Sequence, residues 1–451
     1  MSTAAATPSH RPVSDVSTGV GLVGLVTLVA CILIARAWPT IGPVVGIGAD
    51  RGPLSGPSAA LLTMVLTGLA MATWSVVVDK VHRRPSTGID WANKRPLEET
   101  IDISVTKLAG LWATWAVIGF VYYLGRWYWE GQYVFAMEVI GFAIVPMFIL
   151  SVPYVLMLDR VMVKPRDHAW HFGAMLIGRE AYDMAEVKKH WRAWAIKGFF
   201  SAFMISILPF GFAHVVEANI GEAVRDPVAF GLIMFEFLFV IDVQIGTVGY
   251  LLTMRPLDAH IRSGNPFLAG WLAALLCYPP FVYGFMGAGG VIQYEYNTAG
   301  WGHWFAGHTA FLWVWACGLI ALTAVYAWAT VAFGIRFSNL TYRGVLTHGP
   351  YRFTRHPAYL SKNAFWWLSV LPFLVTSNSL VDAVRNTVFL GLVSAIYYWR
   401  ARTEEAHLLG EDAKYREYYA WMSEHGLITA PLTRLFNRLN PRRRVVERPH
   451  P

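Results

Sequence analysis

The chain has 451 residues, 55% of them hydrophobic and only 15% charged, a balance too apolar for an ordinary soluble globular protein. Its net charge is +8, but the basic residues gather in alternate loops between apolar runs rather than along one continuous stripe, so no nucleic-acid partner is expected. The three cysteines, Cys31, Cys277 and Cys317, each lie within an apolar run, which excludes a disulfide framework and a Cys-x-x-Cys zinc site.

A helix needs about 20 apolar residues to cross ~30 Å of hydrocarbon. Ten stretches approach this, at 19–38, 58–79, 103–125, 134–158, 193–217, 228–254, 266–289, 308–335, 357–377 and 382–400. The first is followed by no small-residue cleavage site and reads as a retained span. The ninth is the weakest, because Ser361, Lys362 and Asn363 stand near its start. The expected architecture is therefore an all-α, polytopic membrane protein of about ten transmembrane helices. Aromatic clusters such as Trp127-Tyr128-Trp129 and Tyr397-Tyr398-Trp399 flank the runs, as interfacial belts do.

Charge orients the spans. With the N-terminus inside, 32 of the 37 basic residues fall on the cytoplasmic side and only Arg36, Arg51, Arg126, Arg225 and Arg385 on the other, the segregation that membrane topology demands. The N- and C-termini are then both cytoplasmic. Residues 1–18 read as a cytoplasmic tail, 19–300 as a transmembrane region of no recognisable type, 301–431 as the segment that carries the chemistry, and 432–451, with Arg442-Arg443-Arg444, as a basic disordered tail near anionic headgroups.

Acids within spans are costly and usually face a cavity or a partner. Glu138, Glu236 and Asp242 are such acids. Asp242 and Gln244 are expected either to line a polar pocket with Lys197 or His214, or to pair structurally. His168 and His171, spaced i, i+3, have no clear third ligand. They read as part of a polar loop, as do His303 and His308, and no metal is expected.

The informative stretch runs from Gly349-Pro350-Tyr351 through Arg355-His356-Pro357 to Tyr359. Gly349-Pro350 marks a turn and Pro357 suits the first turn of a helix, so Arg355 and His356 stand at a helix N-terminus, which favours an anion. A second stretch follows the tenth span: Arg400, Glu404, Glu405 and Leu408, then Tyr415 and Tyr418. No helix breaker intervenes before Gly410, so the span continues and Arg400 shares a face with Glu404 at i, i+4. Adjacent Glu404 and Glu405 point about 100° apart: one can face a ligand while the other pairs with arginine.

Together these residues resemble the isoprenylcysteine carboxyl methyltransferases and phospholipid N-methyltransferases, whose pattern G-x-Y-x-x-x-R-H-P-x-Y is followed, one helical hairpin later, by R-x-x-x-E-E-x-x-L and Y-x-x-Y. The resemblance covers residues 308–431. It departs at Ser361, where many relatives have glycine. It implies a methyltransferase core whose cofactor, S-adenosylmethionine, is held by Tyr351, Arg355, His356, Pro357, Tyr359, Arg400, Glu404, Glu405 and Tyr415, with Arg355, His356 and Glu404 closest to the chemistry. Arg355 and His356 suit the carboxylate of the cofactor, and Glu404 or Glu405 its ammonium or ribose. Tyrosines suit its adenine or sulfonium.

The implied function is methylation of a lipid or lipid-linked substrate that enters from the bilayer. The enzyme would reside in the plasma membrane of a bacterium or the endoplasmic reticulum of a eukaryote, with its site facing the cytosol. A carboxylate acceptor needs no base, whereas an amine must lose a proton, to His356 or His407. Two other readings stay open. One is an NADPH-dependent reductase like the sterol reductases, although their Gly-Asp after the motif tyrosine is missing here. The other is a transporter or lipid-binding scaffold, which Glu236 and Asp242 keep in play.

Overall fold

The computed structural model describes residues 10–46, 52–178 and 180–439. In chain order the helices are α1 (Thr18–Arg36), α2 (Trp38–Val44), α3 (Pro57–Val77), α4 (Leu97–Leu124), α5 (Tyr133–Val161), α6 (His168–Ile177), α7 (Met184–Ser206), α8 (Phe212–Glu217), α9 (Ile220–Ala223), α10 (Pro227–Leu251), α11 (Leu268–Leu275), α12 (Trp301–Trp304), α13 (Thr309–Phe333), α14 (Pro357–Val370), α15 (Leu380–Glu411), α16 (Ala413–His425) and α17 (Thr429–Leu439). Among the described residues the only sheet is a two-residue antiparallel pair, β1 (Ser263–Gly264) against β2 (Thr341–Tyr342), with Ser263 opposite Tyr342.

Seven helices, α1, α3, α4, α5, α10, α13 and α15, are long and apolar enough to cross a bilayer. Their outer faces carry exposed side chains such as Phe142, Ile149 and Leu150, and only 11% of the apolar window of α5 is buried. Apolar faces of that extent need lipid or a partner against them. The protein is an all-helical, membrane-embedded chain.

The other three expected spans take different forms. Residues 266–289 hold Pro279-Pro280, which have no N–H to continue a helix, so α11 stops after eight residues. Helix α14 has 14 residues, about 21 Å. It ends where Leu371 turns left-handed ahead of Pro372. Helix α7 is long but carries Lys188, Lys189, Arg192 and Lys197.

Caps fix the starts of several helices by satisfying free N–H groups. Ser17 accepts from Val20 N, Asp167 from Ala169 N and Trp170 N, and Ser379 from Asp382 N. The main core joins α1, α3, α7, α10 and α13 through buried residues including Leu28, Met71, Phe200 and Ile245. Helices α4 and α6 meet on small residues: a Cβ on Gly173 would lie 1.9 Å from Thr106 O, so only glycine permits that contact.

The loop after α13, which the sequence places in a cytoplasmic segment, is buried rather than solvated. Arg336 and Arg343 are 5% and 3% exposed. Arg336 NH2 donates to Asp258 Oδ2 at 2.6 Å, while Arg343 donates to the carbonyls of Gly249, Ala259, Ile335 and Phe337 at 2.8–2.9 Å. A guanidinium with five donors can satisfy a crowd of carbonyls that no loop of apolar residues could.

The beginning of the described chain closes over this loop. Asp15 N donates to Val345 O at 2.9 Å, Val345 N to Asp15 Oδ2 at 2.7 Å, and Lys414 Nζ to Asp15 Oδ1 at 2.5 Å. Thr347 Oγ1 donates to Pro12 O at 2.7 Å. Residues 432–439, expected within a disordered tail, belong to α17, whose basic and apolar positions alternate at helical spacing. Residues 440–451 of that tail, and 1–9 of the first, lie outside the described residues.

Candidate active site

A turn at Gly349–Arg352 delivers the chain to His356, which precedes α14, and Pro357 is the first helical residue. Helix α15 runs unbroken from Leu380 to Glu411, so its last turns extend past the apolar segment, and Arg400 and Glu404 face α14. Between these elements lies a cavity of about 1310 Å³, its open mouth included. Tyr351, Arg355, His356, Tyr359, Arg400, Glu404 and Tyr415 line it; Pro357 and Glu405 do not.

The two adjacent glutamates face different surroundings. Glu404 turns into the cavity and accepts the Tyr359 hydroxyl. Glu405 turns the other way, toward a hollow between α14, α15, α16 and α17. There it is 3% exposed and accepts from Arg355 Nε at 2.7 Å, Arg402 NH1 at 2.9 Å and His356 Nε2 at 3.1 Å. One buried carboxylate thus orients both residues of the Arg-His pair. Arg355 is fixed further by Ser423 Oγ at 2.9 Å and by the Tyr419 ring at 4.0 Å. The His356 ring stacks on Tyr359.

Arg400 is 3% exposed and has no carboxylate within ion-pair distance among the described residues. Its guanidinium lies 5.0–5.5 Å from the ring centres of Tyr359, Tyr397 and Tyr278, and NH2 donates to Asn339 Oδ1 at 3.2 Å. Its Nε is buried with no acceptor. A buried donor left unpaired costs about 1–3 kcal/mol, and Arg400 is a lining cation with no carboxylate partner among the described residues.

Charge states outside the spans follow from these contacts. Burial works against the Arg355 cation, but Glu405 more than offsets it and the pKa lies above the ordinary arginine value. Burial, with Glu405 nearby, raises the Tyr415 phenol well above its usual range, so it is a neutral donor. His407, whose Nε2 meets Ser263 Oγ at 2.9 Å, is buried against β1.

The structure adds lining residues that motif spacing does not reveal: Tyr278, Tyr326, Asn339, Lys362 and Tyr397. Lys362 Nζ sits 5.2–5.8 Å from the ring centres of Trp366, Tyr326 and Tyr397. A lone lysine inside an apolar run was the one signal available for it. Tyr278 and Val16 come from outside 301–431, so the two regions share one interior.

The intramembrane acids resolve separately. Asp242 is buried and accepts from Tyr326 OH at 3.0 Å and from Thr330; its hydrogen-bond partners are neither Lys197 nor His214. Glu236 pairs with His214. Gln244 donates to Ala60 O at 3.3 Å, and Glu138 is exposed. His168 and His171 belong to helix α6 rather than a loop, because Asp167 caps it. Among the described residues no group of three or more His, Cys, Asp or Glu side chains is arranged to hold a metal. Comparison of the chain with family models, with curated proteins and with solved structures returns no match.

Proposed function

We propose that the protein is an integral membrane methyltransferase that uses S-adenosylmethionine and acts on a lipid or lipid-linked substrate. One observation carries this reading: Arg355, His356 and Tyr359 on one wall and Arg400 and Glu404 on the other, 45 residues apart in sequence, line a single cavity. On this reading α7, the α11 segment and α14 complete ten crossings, and the cavity opens to the cytosol, as the segregation of basic residues requires.

The residues present suit the cofactor. A zwitterionic amino-acid end needs a cation and an acceptor close together, and Arg400, with its unpaired Nε, stands on the same face as Glu404. When bound, S-adenosylmethionine supplies an electrophilic methyl group. Tyr359, held by Glu404 and stacked on His356, provides a flat electron-rich face for a cation. Arg355 and His356, locked by Glu405, keep that wall from rearranging, so positioning and exclusion of water supply most of the rate.

Calorimetry on the purified protein in detergent tests the reading, with S-adenosylmethionine, S-adenosylhomocysteine and NADPH as separate titrants. Micromolar binding of the first two alone supports it. NADPH binding supports a reductase instead, and no binding favours a scaffold. Labelled methyl groups and lipid extracts then identify the acceptor.

A further inference from the structure

A second cavity, about 760 Å³ with its open mouth, lies away from the first, among α4, α5, α6, α7 and the segment after α10. Its polar lining is Lys107, Asp159, Asp167, His168, Lys197, Arg255 and His260, with Tyr154 and Thr253 beside them. Such a concentration of ionisable groups in one hollow is costly unless charge is balanced.

The balance is incomplete. Asp159 is taken by Lys107 and by Ser104 Oγ at 2.9 Å. Asp167 faces Lys107 at 3.4 Å and Arg255 at 3.8 Å and caps α6. Lys197 has only the face of Trp194, 3.8 Å from its ring centre; no carboxylate lies within ion-pair distance of it among the described residues. With Lys197 protonated, three cations answer two acids, and the lining carries one excess positive charge.

The histidines add one free acceptor. Thr114 Oγ1 donates to Gly110 O at 2.7 Å, so it must accept from His190 Nε2 at 2.8 Å. His190 Nδ1 is then an acceptor and takes the proton of His168 Nδ1, 3.1 Å away. A neutral His168 is left with a lone pair on Nε2. His168 is neutral because burial pushes its pKa down to about 4, despite Asp167.

We infer that this cavity is a separate binding site for a phosphate monoester in its monoanionic form, with Lys197 and Arg255 receiving the charged oxygens and His168 Nε2 accepting the remaining P–OH proton. One net charge matches one anion, and one lone pair matches one hydroxyl. A soluble phosphate monoester and the headgroup of a phosphatidic lipid share this chemistry. The site stands independently of methyl transfer.

The full-length protein in neutral detergent at pH 6, near the second ionisation of a phosphate monoester, is titrated with glycerol 3-phosphate. Binding is followed by calorimetry. Saturable binding is expected, at least tenfold weaker in Lys197→Met and within threefold of wild type in Lys197→Arg. Sulfate, which has no proton to give His168, is expected to bind at least tenfold more weakly. In nanodiscs, displacement of glycerol 3-phosphate by phosphatidic acid but not phosphatidylcholine supports the site and assigns the ligand to the bilayer; displacement by neither supports it with a ligand from solution. Absence of glycerol 3-phosphate binding, equal affinity in a folded Lys197→Met, or sulfate binding as well as phosphate overturns the assignment.

Discussion

Replacing Glu405 and Glu404 separately by alanine should injure the protein in opposite ways. Glu405 is 3% exposed and is the shared acceptor of Arg355, His356 and Arg402. Its removal strands the Arg355 guanidinium, whose side chain is only 11% exposed, and stranding one partner of a buried pair costs about 3–5 kcal/mol. Arg402, 37% exposed at its side chain, adds little because water replaces its partner. Glu404 loses one hydrogen bond, from Tyr359, and faces an open cavity, so Glu404→Ala costs about 1 kcal/mol of stability. On the proposed function it also weakens S-adenosylmethionine binding tenfold or more, about 1.4 kcal/mol. Equilibrium unfolding in mixed detergent, read by tryptophan fluorescence, gives the stability of each variant, and calorimetry gives the affinity. Equal destabilisation by the two substitutions, or a Glu405→Ala protein as stable as wild type, would refute the division of labour drawn from the geometry.

Lys107→Met leaves the fully buried Asp159 with Ser104 alone, so unfolding should become easier by about 3–5 kcal/mol, while Lys107→Met combined with Asp159→Leu should recover most of it. Gly173→Ala drives a Cβ against the Thr106 carbonyl; α4 and α6 must part, and equilibrium unfolding in detergent should show a loss of about 1–3 kcal/mol. His260 is pushed down to about 2 by burial and by Arg255, Arg262, Arg336 and Arg343, and His168 to about 4 by burial. Unfolded histidines take up protons near pH 6.5 that these folded ones refuse. Stability should therefore be full above about pH 6.5 and fall as pH drops toward 4, and His260→Gln should flatten that decline in a thermal melt series. On the proposed function, Arg400→Met should lower S-adenosylmethionine affinity at least tenfold in calorimetry, while melting falls only by what the hydrogen bond to Asn339 and the ring contacts supply, since no carboxylate is left stranded.

The helical, membrane-embedded character was legible because apolar run length is a one-dimensional property. Seven of the ten runs became long apolar helices, and the other three take different forms for local reasons, at Pro279-Pro280, at the left-handed Leu371 before Pro372, and at Lys188, Lys189, Arg192 and Lys197 of α7. The angular separation of Glu404 and Glu405 was legible too, since helix geometry alone sends neighbours to different sides. What spacing could not give is which of the two faces inward. That depends on Arg355, which the turn before α14 brings to the side of α15 where Arg402 already lies and which Ser423 of α16 holds there. Arg343 illustrates the same gap: as a loop arginine it reads as solvated, and only the folded chain shows five carbonyls converging on it.

The clasp formed by Asp15 with Val345 and Lys414 bears on how the molecule is assembled. Asp15 meets Val345 330 residues later in the chain and Lys414 399 residues later, so the fastening cannot be complete until α16 has been made. A C-terminal fragment beginning near residue 301, although it holds every motif, would lack both this fastening and Tyr278. Co-expression of the two pieces should restore the cavity where neither alone forms it.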